Sequence, residues 1–375
     1  MLNGSWINEN GISSPHNVAV TIAIFVAINL DGSYYSENLL DFNSFVRSGQ
    51  AALHGGNPYD TSTSETTNLN PPLTLFVFQF LAELDPRTTY QIWRLITFSL
   101  YILVLILLKR AYPQHTTPFR LVWALCMTGI WYTLLMGQIY VLLLLLCVGA
   151  WLSLKSNKPV LAGCMIGLLA AVKPNFIVWP IFMVLGGSWV VATAAFVSFA
   201  FLSILPLMAY GTTNYMQWIE ILAVNKAAPL ATNMSIYGLT SRFHLVGFGL
   251  VLAFLLIAAT AFLVWRKKPQ ALEISSLSIV VALLATPFAW VGYAVLLFPI
   301  FFSCRWTPSL KVSAILLCAP SIIVFYIGGQ SDLAQIAAGL IYFTALVLVL
   351  VELARSLLST SISSHPQAEL QPLAK

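Results

Sequence analysis

Long apolar runs, each closed by a short polar break, set the rhythm of this chain. They fall near residues 18–30, 88–108, 119–136, 138–154, 160–172, 174–187, 188–209, 245–265, 272–287, 291–304, 310–328 and 333–354. A further run at 71–84 is short and opens on Pro71 and Pro72. The runs are unbroken rather than alternating, which predicts helices and not the short two-residue rhythm of a barrel. In hydrocarbon a helix pairs its backbone polar groups within itself. The pattern therefore predicts an all-α polytopic membrane protein, a bundle of about 11–13 transmembrane helices. Several runs fall short of the ~20 residues of a full span, so some helices should be broken or tilted.

One long polar stretch stands out near the front, residues 39–60, followed by Asn70-Pro71-Pro72-Leu73. Within it Phe42, Phe45, Val46, Gly49 and Leu53 recur at three- and four-residue steps, while Asp41, Ser44 and Ser48 share the opposite face. That spacing predicts an amphipathic helix lying in the membrane interface. Gly55-Gly56-Asn57-Pro58 reads as the turn that ends it, and Pro71 and Pro72 suit the first turn of the next helix.

Composition agrees with the pattern. Of 375 residues, 59% are apolar and 8% charged, against roughly a quarter charged in soluble domains. The net charge of +5 comes from basic residues scattered through short loops and gives no sign of a nucleic-acid partner. With the N-terminus inside and 71–84 entering without crossing, twelve of the eighteen Lys and Arg residues fall on the cytoplasmic side. Seven of the thirteen acids fall in the first external loop. This satisfies the positive-inside rule. The expected organisation is one transmembrane domain, 1–355, with external loops at 31–87 and 210–244 and a disordered cytoplasmic tail at 356–375. Residues 18–30 read as a first span rather than a removed signal peptide. The five cysteines lie in or beside apolar runs, without metal-ligand spacing.

The polar breaks Met136-Gly137-Gln138, Val172-Lys173-Pro174-Asn175, residues 233–239 and residues 286–290 then all come out on the external face, beside the opening stretch. Lys173 suits a lipid phosphate near the membrane surface, or is a lysine snorkelling from a helix end. Gln138 could hydrogen-bond a sugar or cap a helix. Asn233, Ser235 and Tyr237 suit carbohydrate, as polar loop residues often do. No Walker-type loop, HExxH or paired Cys or His motif occurs. Intramembrane acids of the kind used for ion coupling are nearly absent.

The ordered set DFNSFVRSGQAALHGGNPYD, NPPL, GQIYVLLLLL, PVLAGCMIGLLAAVKP, NMSIYGL and TPFAWVGYAVLLFP, spread over roughly residues 18–304, resembles glycosyltransferase family 87. These are GT-C-type membrane enzymes that use polyprenyl-phosphate sugars, chiefly mannose. The resemblance implies a GT-C-type bundle and a hexosyltransferase of the plasma (inner) membrane with its site facing outside. It would take a polyprenyl-phosphate donor and a lipid or glycan acceptor among membrane lipids, as a monomer, with no cofactor or metal. Asp41 would be the general base of an inverting transfer, with Asp60 in reserve, and Lys173 and Arg47 would hold the donor phosphate. Tyr59, Asp60, Asn70, Gln138, Asn233, Tyr237, Trp290 and Tyr293 would contact sugar or acceptor. The sequence departs from the family pattern at Phe45, Val46 and Asn70, where relatives carry tyrosines, and at Gly292 and Tyr293, where they carry histidines. A lipid-linked-sugar flippase and a catalytically degenerate relative are the competing expectations.

Overall fold

The computed structural model describes residues 40–60, 67–224 and 229–360. The run expected at 18–30 lies outside them. In chain order the helices are α1 (Leu40–Leu53), α2 (Leu75–Leu81), α3 (Pro86–Ala111), α4 (Pro118–Cys126), α5 (Thr128–Met136), α6 (Tyr140–Lys155) and α7 (Pro159–Val172). They continue with α8 (Val178–Leu185), α9 (Trp189–Tyr210), α10 (Thr213–Val224), α11 (Ile236–Arg242), α12 (Val246–Lys267) and α13 (Ala271–Ala285). The last four are α14 (Phe298–Ser303), α15 (Pro308–Leu316), α16 (Ser321–Gly328) and α17 (Asp332–Thr360). Short 3-10 turns precede α2, α8 and α14. No strand occurs among the described residues, only one bridge between Asn233 and Trp290. The protein is an all-α polytopic membrane protein. Helix α17 runs to Thr360 and so takes in the first five residues of the tail expected from 356.

Among the described residues, five helical stretches are long and apolar enough to cross a bilayer: α3, the α4–α5 pair, α9, α12 and α17. The α15–α16 pair, bent by 71°, makes a sixth if taken as one span. The remaining apolar runs are shorter helices threaded between them. Burial explains how short helices are tolerated. Only 17% of the apolar window of α12 is buried, whereas every residue from Ile274 to Leu284 of α13 is. Helix α12 presents its surface outward, whereas the short α13 is wrapped in protein, where irregular backbone nearby can be satisfied. Residues 72–81, at about 15 Å of rise, are too short to cross the ~30 Å of hydrocarbon on their own.

The breaks are satisfied by named side chains. Between α4 and α5, the Ala124 carbonyl accepts from the Tyr101 hydroxyl at 2.5 Å and the Leu125 carbonyl from Trp131 Nε1 at 2.8 Å. Fully buried Thr128 accepts from the Ser321 N–H at 3.0 Å, and its own N–H donates to Leu317 O at 3.1 Å. One threonine thus ties the α4–α5 break to the α15–α16 break.

At one end of the bundle, basic side chains close the loops. Arg120 donates to the carbonyls of Phe301 and Cys304 at 2.9 and 2.8 Å, and Lys268 to that of Leu185 at 2.5 Å. Lys155 donates to Ala111 O and lies over the Tyr112 ring. At the other end α1, the α5–α6 turn and the α7–α8 turn converge.

Helices α7 and α9 touch through glycines one turn apart. A Cβ at Gly163 would come within 2.4 Å of Val191 O, and one at Gly167 within 2.3 Å of Ala195 O. Small residues at this spacing let membrane helices close to backbone contact. Gly167→Leu should force the pair apart and destabilise the fold by roughly 1–3 kcal/mol, read as a lower thermal midpoint in detergent; an unchanged midpoint would contradict this seam.

Candidate active site

Helix α1 carries Asp41 and is held in place by protein contacts. Its apolar face packs into protein: Phe42 against Tyr90 and Trp93, at ring distances of 5.4 and 6.2 Å, and Phe45 stacked on Phe78 at 4.7 Å. Gly49 permits this, because a Cβ there would sit 2.5 Å from Phe78 O. Ser44 and Ser48 of the polar face are buried too, with Ser48 Oγ donating to Pro58 O at 2.6 Å. The polar face is turned inward, and Asp41 opens onto a cavity.

The α5–α6 turn brings the second residue. Gly137 has φ +65°, the left-handed conformation that favours glycine, and a Cβ there would meet Phe42 Cβ at 2.6 Å. Its carbonyl accepts from Trp93 Nε1 at 2.9 Å. The chain therefore turns against α1, and Gln138 Nε2 donates to Asp41 Oδ2 at 2.6 Å. Burial pushes the Asp41 carboxyl above the usual carboxylate range; the Gln138 hydrogen bond and the Lys173 charge draw it partway back. Gln138→Leu removes one of those two lowering influences, so the acid limb of any Asp41-dependent rate should move to higher pH. Activity near neutrality should fall roughly tenfold, the worth of a hydrogen bond to a charged group. A pH–rate profile superimposable on wild type would refute the coupling.

Lys173 ends α7 in an extended conformation, φ −138° and ψ 93°, before the 3-10 turn Pro174–Ile177. Its ammonium lies over the Tyr140 and Tyr293 rings, 5.9 and 5.5 Å from their centroids.

Asp41, Gln138 and Lys173 share the wall of a cavity of about 840 Å³, with Asn70, Trp290 and Tyr293 also on it. Asp41 and Lys173 are the charged side chains among those lining it. The rest of the wall is largely apolar and includes Ile257, eleven residues into α12. Sequence reasoning missed Asn175, Trp218, Thr232, Thr286, Tyr132 and Tyr140, which also line it. Asn175 and Thr286 lay within polar breaks read from the sequence, and Tyr140 stands two residues past Gln138.

Five nominated residues are not on the wall. Arg47 is half-buried on α1 and Asp60 exposed. Tyr59 is buried and donates to Asn70 O at 3.0 Å, fixing the backbone of a residue that does line the cavity. Asn233 is fully buried and its amide is used by the protein. Nδ2 donates to Pro287 O at 2.9 Å, while Oδ1 accepts from Ser235 Oγ at 2.9 Å and the Ala289 N–H at 3.2 Å. It joins the two loops rather than facing a ligand. Tyr237 sits on α11, half-buried. Among the described residues no three His, Cys, Asp or Glu side chains gather in a way that could hold a metal ion.

A cavity with one carboxylate and one ammonium, set in a bundle of membrane helices, can hold a hydroxyl nucleophile and an anionic leaving group together. A family model for glycosyltransferase family 87 matches residues 68–287. The chain belongs to glycosyltransferase family 87. No curated protein matches it. As a family 87 member it is a membrane glycosyltransferase. The matched stretch includes Asn70, Gln138 and Lys173; Asp41, Trp290 and Tyr293 lie beyond its ends and are brought to the same cavity by the fold.

Proposed function

We propose that this protein transfers a hexose, mannose by the family's preference, from a polyprenyl-phosphate donor to a hydroxyl of a lipid or glycan acceptor. The site faces the outer side of the plasma membrane. The observation that carries this reading is the lining of the cavity: two charged side chains, Asp41 and Lys173, on a wall that is otherwise largely apolar and includes Ile177, Ile257 and Phe325. A ligand with a phosphate head and a hydrocarbon tail matches both parts. The volume of about 840 Å³ lies within the roughly 300–1,000 Å³ of ligand pockets and leaves room for sugar and acceptor together.

The mechanism is a single inverting displacement. Asp41 accepts the proton of the acceptor hydroxyl as its oxygen attacks the anomeric carbon. The bond from that carbon to the phosphate oxygen breaks, and polyprenyl phosphate leaves with its negative charge facing the Lys173 ammonium. Gln138 orients the Asp41 carboxylate; Asn70, Asn175 and Trp290 are the sugar and acceptor contacts.

Incubating the purified protein with radiolabelled polyprenyl-phosphate mannose and candidate acceptors tests this. Label appearing in an acceptor supports transfer. Label crossing the bilayer of a proteoliposome on its original lipid, with none transferred, would replace this reading with that of a flippase.

A further inference from the structure

Lys173 and Asp41 are near enough for each to feel the other's charge, yet no ion pair joins them among the described residues. What Lys173 faces instead is a pair of aromatic rings. Tyr140 and Tyr293 pack with centroids 4.2 Å apart and are 1% and 3% exposed, so they form one fixed wall beneath the ammonium. Fully buried Phe176 supports Tyr293 from the side, 6.5 Å between centroids. The backbone makes room for this. A Cβ at Gly292 would lie 2.3 Å from Tyr140 Cδ2 and 3.0 Å from Tyr132 Cδ1, so the Tyr140 ring occupies the space that any side chain at 292 would need. An aromatic face attracts an ammonium through its quadrupole, but it carries no formal charge and leaves the ammonium's charge unneutralised. A carboxylate partner would neutralise it.

We propose that Tyr140 and Tyr293 are positioning residues whose faces cradle the Lys173 ammonium and hold it off Asp41 in the donor-free site. The inference rests on the roles given to Asp41 and Lys173 under Proposed function. A lysine has a four-carbon flexible stem; without the rings it can swing onto the neighbouring carboxylate. Such a pair would weaken Asp41 as a base and occupy the cation meant for the phosphate. The cradle keeps the two charges apart until a donor phosphate claims the lysine. Gly292 belongs to the same device, since it admits the Tyr140 ring. The other titratable side chains on the cavity wall are tyrosines, Tyr132, Tyr140 and Tyr293 themselves, so the Asp41–Lys173 pair governs the acid side of the rate profile.

The test compares Tyr140→Phe and Tyr293→Phe, which keep the faces, with Tyr140→Leu and Tyr293→Leu, which remove them. Phenylalanine variants should stay within about threefold of wild-type kcat/KM, and leucine variants should fall roughly tenfold. In the leucine variants the acid limb of kcat/KM should also move to lower pH, because a closer ammonium favours the ionised carboxylate. Partial unfolding lowers the amplitude of such a profile without moving its limb. A second readout needs no turnover: acetylation of Lys173 by acetic anhydride in the donor-free protein, followed by mass spectrometry. An ammonium paired with Asp41 gives up its proton less readily, so labelling should slow in the leucine variants and not in the phenylalanine ones. Unmoved limbs and equal labelling would overturn the cradle, as would phenylalanine variants impaired as severely as leucine ones. If no variant and no wild-type sample transfers sugar, while labelling still separates leucine from phenylalanine, the cradle stands and the transferase reading falls.

Discussion

Asp41→Asn is expected to lower sugar transfer by roughly 10²–10⁴-fold, the usual contribution of a general base, with donor affinity little changed. The substitution keeps the size and the planar shape of the side chain, so α1 should still dock through Phe42 and Phe45. What it removes is the group able to accept a proton from the acceptor hydroxyl. The thermal midpoint should therefore match wild type within a few degrees, and donor binding by titration should persist. Near-normal turnover would remove Asp41 from the chemistry. Asp60, exposed and away from the cavity wall, is the control: Asp60→Asn should leave turnover within about twofold of wild type, as surface changes usually do.

Lys173→Ala is the second large effect. If the ammonium faces the charge on departing phosphate, its loss should lower kcat/KM by roughly 10²–10³-fold. Part of that loss should appear as a higher KM for the donor and none as a higher KM for the acceptor. Lys173→Arg should rescue poorly. A planar guanidinium is broader than an ammonium, and the space above the Tyr140 and Tyr293 rings is set by their fixed packing. Unchanged dependence on donor concentration in Lys173→Ala would take the residue out of the site.

The fold class was legible because long apolar runs leave helices as the workable answer in lipid. Where the runs were short, as in α13 and residues 291–303, length could not say whether they cross or lie wrapped within the bundle. That depends on which neighbours cover them, a tertiary fact. Helix α1 shows a similar limit. Its periodicity was plain in the sequence, but an apolar stripe looks the same whether it meets lipid or Tyr90, Trp93 and Phe78. Asp41, Gln138 and Lys173 were legible as polar breaks that a consistent orientation gathers on one face. Asn233 looked equally good on that reasoning, yet its amide is consumed in joining two loops. A polar side chain does not announce whether its partner is protein or ligand. Tyr140 was invisible for the opposite reason: an aromatic at the start of a leucine-rich helix reads as packing until the space left by Gly292 is seen.

The seam of Gly163 and Gly167 against α9 reaches further than stability. Lys173 stands six residues past Gly167 on the same helix, roughly 9 Å along the axis, so the seam fixes the height at which the lysine emerges. A slightly bulkier residue there, too mild to unfold the bundle, would tilt α7 and carry the ammonium with it. The enzyme would then lose grip on its donor through a change buried among lipid-facing helices and remote from any substrate. In a survey of random variants, this glycine stripe should therefore score alongside the cavity itself.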